Sequence, residues 1–167
     1  KRDEIYPELF KMMEYSLKNI NKPSNNENYF GDLYAFYLLA QFREKSAFPI
    51  IIDFFKDLEA LFHQFIIPDD IYILSSILAS VYDGDEGKLT NVIESESCDG
   101  YVRSAFLNCL VILYMYDEYN RSKLITYLSY LIEFLERTES ELWITSESMC
   151  NAAGERAYSS DKNHISG

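Results

Sequence analysis

Asp99-Gly100-Tyr101-Val102-Arg103-Ser104-Ala105-Phe106-Leu107-Asn108-Cys109-Leu110 is the stretch whose reading decides the fold. Asp99 stands before Val102 and Arg103, and these before Ala105 and Leu110, at the spacing of a helix that recurs in helical-pair repeats. Comparable apolar doublets recur at Leu39/Phe42, Leu78/Val81 and Leu110/Leu113, spaced 39 and 32 residues apart. An irregular period of roughly 35–40 residues is that of HEAT-type pairs. One pair cannot bury its own apolar face, but three or four stacked pairs form a continuous core.

Working outward, helical periodicity dominates. After Pro7, which suits a first helical turn, Leu9, Met13, Leu17 and Ile20 fall on one face. The polar run Asn21–Asn28 reads as a connector. Asp32 is predicted to cap a helix through Gln41, with Leu33, Phe36, Tyr37 and Ala40 inward. Ser46 is predicted to cap the next, with Pro49 in its first turn and Phe48, Ile51, Ile52 and Phe55 packed. A helix with Leu58, Leu61, Phe62 and Phe65 is expected before the break at Pro68.

Asp70 then opens a helix carrying Ile71, Leu74, Leu78 and Val81, which ends at Asp83-Gly84-Asp85. A shorter helix with Leu89, Val92 and Ile93 follows, and Asp99 begins the long one to about Tyr116. Asn120 or Ser122 starts another, with Leu124, Leu128, Leu131, Ile132 and Leu135 inward. Thr138 and Glu141 form a capping-box pattern before Leu142 and Trp143. The expected fold is all-α, an α-α superhelix of about four stacked HEAT-like pairs in one domain over 1–154, with a polar, poorly ordered tail at 155–167.

Composition narrows the function classes. The chain of 167 residues is 48% hydrophobic and 25% charged, a globular balance. Fifteen basic residues against 27 acidic ones leave a net charge of −12. That field repels phosphate backbones, so no nucleic acid is expected, and it favours a basic partner or cations. The longest apolar run, within Ala105–Tyr116, is too short for a bilayer span of about 20 residues, and no apolar leader is visible. Cys98, Cys109 and Cys150 form no C-x-x-C pair, so a reducing cytoplasm is the expected compartment, and neither a metal nor a cofactor is predicted.

Candidate sites follow from spacing. Asp83, Asp85, Asn91 and Glu94 stand at positions 1, 3, 9 and 12 of a calcium-loop count. Lys88 occupies the position that needs glycine, and Leu89, Val92 and Ile93 run a helix through it, which favours a turn capped by Asp85. Asp99 and Arg103, four apart, are a candidate structural ion pair. Arg43 and Glu44 close a helix where they can tie it to a neighbour or meet a partner. Eight of the fourteen tyrosines cluster at 29/34/37, 114/116/119 and 127/130, and Tyr114, Tyr116 and Tyr119 line an inter-helix turn where a partner-facing edge is expected. His63 and His164 lack the neighbours that nucleophilic catalysis requires, so no catalytic residue is assigned.

Three segments go further than a generic repeat: LYAFYLLAQFREKSAFPIIIDFF (33–55), ILASVYDGDEGKL (77–89) and DGYVRSAFLNCLVIL (99–113), followed by Glu141-Leu142-Trp143. Together they resemble an uncharacterised bacterial family known only as a domain of unknown function, over about residues 2–150. The resemblance implies HEAT-like helical pairs and no assigned activity. Some members carry a SEC-C-type zinc motif near the C-terminus; no C-x-C and no Cys/His cluster follows Cys150 here.

The function expected on these grounds is a non-enzymatic scaffold that binds a basic protein segment. A carboxylate- or divalent-metal-dependent enzyme or enzyme subunit is the alternative. A third is a self-associating structural protein that forms homo-oligomers through the terminal helix near Trp143.

Overall fold

The computed structural model describes residues 2–19, 31–56 and 71–138, and among these the regular structure is entirely helical. The helices are α1 (Arg2–Asn19), α2 (Gly31–Phe42), α3 (Phe48–Lys56), α4 (Ile71–Val81), α5 (Glu86–Ile93), α6 (Gly100–Met115) and α7 (Arg121–Thr138). A single 3₁₀ turn, Lys45–Ala47, leads into α3. The expected helix over Leu58–Phe65, the capping box at Thr138 and Glu141, Ile20, Trp143 and the tail lie outside the described residues or side chains.

The doublets that repeat along the sequence become a row in space. They sit on α2, α4 and α6, which pack in that order, α2 on α4 and α4 on α6. Leu39, Leu78, Val81 and Leu110 are fully buried and Leu113 nearly so. α1 packs on α2 and α3, α3 also lies against α4, and α5 and α7 pack on α6. Most of the middle of α6, from Val102 to Val111, is buried, which is why its apolar residues surround the helix and form no single stripe.

α2 and α6 are each stopped by a residue with a left-handed backbone, Arg43 (φ 55) and Asp117 (φ 60), while Gly84 (φ 98) turns the chain between α4 and α5. At α2, Arg43 N–H bonds the Ala40 carbonyl and Glu44 N–H the Leu39 carbonyl; at α6, Asp117 N–H bonds Tyr114 and Glu118 N–H bonds Leu113. This doubled Schellman closure satisfies helix-end carbonyls that would otherwise be orphaned. It also places Arg43 and Glu118 at matching corners.

Helix starts divide into those the side chains announced and those they did not. Asp85 and Asp99 cap α5 and α6, accepting from Gly87 N–H at 3.1 Å and Tyr101 N–H at 2.8 Å. Asn120 Oδ1 accepts from the N–H groups of Ser122 (2.9 Å) and Lys123 (3.2 Å), so Asn120 and not Ser122 caps α7. Three expectations need correction. α1 begins at Arg2, so Pro7 lies inside the helix. α2 begins at Gly31, which puts Asp32 in its first turn instead of at its cap. Glu44, not Ser46, caps the turn before α3, with its carboxylate accepting from Ser46 N–H at 3.2 Å and from Ser46 Oγ at 2.5 Å.

The predicted core is largely the observed one: Leu9, Met13, Phe36, Phe48, Ile51, Ile52, Phe55, Leu74, Leu89, Val92, Ile93, Leu124 and Leu131 are buried. Tyr37 and Ile132 are not; they are 43% and 49% exposed. Ala35 and Leu39 take the inward positions on α2 instead.

Candidate functional site

The C-terminal ends of α2, α4 and α6 meet at one end of the row, and the expected partner-facing residues gather there. Arg43 Nη2 contacts Glu118 Oε1 at 2.6 Å, which links the turn after α2 to the turn after α6 across 75 positions of sequence. Glu44 is occupied by the Ser46 backbone and hydroxyl. Arg43 therefore ties the turns after the two outer helices of the row together while keeping 61% of its side chain exposed.

The three tyrosines of the last turn do three different things. Tyr119 is buried, with its hydroxyl hydrogen-bonded to Glu86 Oε1 at 2.5 Å; Lys123 Nζ reaches Glu86 Oε2 at 3.3 Å. Burial, then the hydrogen bond to the Glu86 carboxylate, pushes the Tyr119 phenol well above its ordinary value. Tyr114 is half-buried against the core. Only Tyr116, 74% exposed, faces outward, beside Met115 at 48%.

Next to them the α4–α5 turn is locked by charge. Lys88 Nζ lies 2.5 Å from Asp83 Oδ2 and 3.6 Å from Asp85 Oδ2, and 5.8 Å above the Phe48 ring. Burial raises the Asp83 pKa, but the hydrogen bonds from Lys88 and from Asp85 N–H outweigh it and hold the carboxyl below its usual range. The Phe48 and Tyr82 rings meet edge-to-face at 5.5 Å. Burial, reinforced by Glu86 and other nearby acidic groups, pushes the Tyr82 phenol up to about 12. The residues counted as a calcium loop are divided between this turn and α5, with Glu94 at the far end of that helix. Among the described residues no group of three or more His, Cys, Asp or Glu is placed to hold a metal ion.

Asp99 and Arg103 take different partners. Asp99 spends its carboxylate on the α6 cap, while Arg103, 4% exposed, donates from Nε to the Ile93 carbonyl at 2.7 Å. The guanidinium thus closes the C-terminus of α5, a favourable place for a cation at the negative end of a helix. The two residues are joined only through the Arg103 N–H on the Asp99 carbonyl.

Sequence reasoning named the tyrosine clusters but not which tyrosines face out. α2 presents Tyr34 (67%) and Tyr37 (43%), and α4 presents Tyr72 (59%) and Ile73 (40%). On α7 the buried line Leu124–Leu131 has an exposed apolar residue on each flank. Ile125 (46%) and Ile132 (49%) lie on one, and Tyr130 (46%), between Tyr127 and Phe134, on the other. A helix apolar on three sides is the signal that was legible, since a solitary surface helix needs only one apolar stripe.

Comparison with known proteins gives a consistent result. Residues 1–159 match the family described as "Protein of unknown function (DUF1186)". An uncharacterized protein of Chlamydia muridarum (strain MoPn / Nigg) is 36% identical over 146 residues, covering 86% of this chain and 57% of its own length. An uncharacterized protein of Chlamydia trachomatis serovar D is similar to the same extent. The chain therefore spans a little over half the length of these curated relatives. No solved structure matches it. No helix among the described residues is long and apolar enough to cross a membrane.

Proposed function

We propose, for a chain that belongs to this bacterial family of unknown function, that it is a non-enzymatic interaction module holding a basic segment of another protein. The observation that carries this reading is the set of aromatic and aliphatic side chains turned outward on α2, α4 and α7: Tyr34 and Tyr37, Tyr72 and Ile73, and Tyr130. Such residues bury large area on contact at little entropic cost. The succession of α2, α4 and α6, packed in that order, supports a HEAT-like solenoid of stacked pairs as the scaffold. The net charge of −12 speeds encounter with a Lys/Arg-bearing partner and disfavours nucleic acid. The free thiols of Cys98 and Cys109 suit a reducing cytoplasm.

The test is capture of partners by the tagged full chain from lysate of its source, at about 50 mM and about 200 mM salt, read by mass spectrometry. The expected result is one dominant, stoichiometric protein whose bound segment is basic and whose capture weakens with salt. Folded, helical protein that captures nothing at either salt contradicts the proposal.

Self-association is favoured by one observation, the exposed pair Ile125 and Ile132 on α7. Light scattering at two concentrations decides it: a mass that doubles on concentration supports dimers, and a constant monomer mass removes them.

A further inference from the structure

Resting on the reading of this chain as a holder of basic segments, we propose that the segment docks through uncharged, apolar side chains on the outer face of α2 and α4. Its lysines and arginines flank that contact and do not form it.

The position of α3 shows that the two helices turn their outer faces to the same side. Phe36 on α2 meets Phe54 and Phe55 of α3 at 4.6 and 5.3 Å between ring centres. Tyr34, Tyr37 and Gln41, at i, i+3 and i+7, are exposed on the side of α2 away from that contact. On α4 the inward line is Leu74, Leu78 and Tyr82, and Tyr82 meets Phe48, the first residue of α3, at 5.5 Å. Tyr72, Ile73 and Ser76 are exposed on its opposite side. Because α2 packs on α4, the two outward stripes are neighbours, both directed away from α3.

The chemistry of this face selects its occupant. Charged residues make up 25% of the chain, yet neither Leu33–Phe42 nor Ile71–Tyr82 contains Asp, Glu, Lys, Arg or His. Loss of charge with enrichment in Tyr is the composition of an interface core. The serines do not make the face polar. Ser76 Oγ donates to the Tyr72 carbonyl at 2.7 Å and Ser80 Oγ to the Ser76 carbonyl at 2.8 Å, so both hydroxyls are spent within α4. A lysine or arginine laid here would give up water with no carboxylate to replace it, so the contacting residues of the partner are apolar. The field of the chain, with its net charge of −12, draws basic residues to the flanks. Size decides between a segment and a second copy. Tyr34, Tyr37, Tyr72 and Ile73 are 67%, 43%, 59% and 40% exposed and together present roughly 400 Å². That is about half of the ~800 Å² each side of a stable interface buries, which suits a short segment and is too little for two whole chains.

The test follows by anisotropy the binding of two fluorescein-labelled Gly/Ser peptides to the full chain. One carries three arginines, and the second has two leucines added between them. The leucine peptide is expected to bind about tenfold more tightly. Tyr34→Ser with Tyr72→Ser returns it to the affinity of the arginine peptide, whose own affinity does not change. Tyr34→Phe with Tyr72→Phe keeps the rings and retains the gain, as does Ile125→Ser with Ile132→Ser on α7. All four positions are exposed, so each variant unfolds near the wild-type urea midpoint. Leucines that add nothing, or a gain that survives Tyr34→Ser with Tyr72→Ser, overturn this docking face and leave the interaction module standing. An arginine peptide that does not bind removes the module and this inference with it. A dimer in light scattering that the same tyrosine substitutions dissolve gives the face to a second copy and overturns the proposal.

Discussion

Asp117→Gly is predicted to stabilise the protein by about 0.5–1 kcal/mol. Asp117 stops α6 with φ 60, a left-handed backbone that costs a side-chain-bearing residue about 1–2 kcal/mol. Glycine removes that cost but loses about 0.5–1 kcal/mol more conformational freedom on folding, which leaves the stated gain. Arg43 stops α2 in the same way, with φ 55. Arg43→Gly gains the same amount but gives up the ion pair with Glu118, whose Arg side chain is 61% exposed and which is therefore worth about 0.2–1 kcal/mol. Its net effect is close to zero. Urea unfolding followed by far-UV circular dichroism measures both, together with Asp117→Ala, which keeps the strain and loses the tolerance of Asp for this backbone. The expected order of stability is Asp117→Gly, then wild type and Arg43→Gly together, then Asp117→Ala. If Asp117→Gly is less stable than wild type, the Asp117 side chain holds the turn and the backbone account of helix termination is wrong.

Leu78→Ala, at a fully buried position on the central α4, should cost about 2–5 kcal/mol in the same assay, whereas Tyr34→Ser on the exposed side of α2 should change stability by less than about 0.5 kcal/mol. Asp85→Ala and Asp99→Ala each lose a helix cap and should cost about 1 kcal/mol, adding in the double variant because the caps serve different helices. Burial pushes the Cys109 thiol far above its ordinary value, so a thiol reagent at about pH 8 should leave Cys109 unlabelled until urea unfolds the chain. Tyr82, whose folded pKa of about 12 exceeds its unfolded value of 10.0, contributes stability that is complete below pH 10 and is lost as pH rises from 10 to 12; Tyr82→Phe should flatten that decline in alkaline unfolding curves.

The sequence disclosed the fold where local spacing and tertiary packing agree. Leu9 and Met13 on α1, Leu74 and Leu78 on α4, and the caps Asp85 and Asp99 all follow from near neighbours in the chain. It failed where a distant contact decided the matter. Asp99 and Arg103 have the spacing of a helical ion pair, but burial sends Arg103 to the carbonyl of Ile93, ten positions back on another helix. Tyr119 was expected at a partner-facing edge and is instead buried against Glu86, 33 positions away. The turns at Arg43 and Asp117 were hidden because neither residue is glycine. Aligning Leu39-x-x-x-Arg43-Glu44 with Leu113-x-x-x-Asp117-Glu118 would have exposed them.

The central claim, that this chain holds a basic protein segment, is tested most directly by the affinity of the full chain for a fluorescein-labelled Gly/Ser peptide carrying three arginines, against its glutamine counterpart, at about 50 mM and about 200 mM salt. The account predicts binding that weakens with salt and disappears when the arginines become glutamines. An affinity that is the same for the arginine and glutamine peptides, or absent at the lower salt, contradicts it.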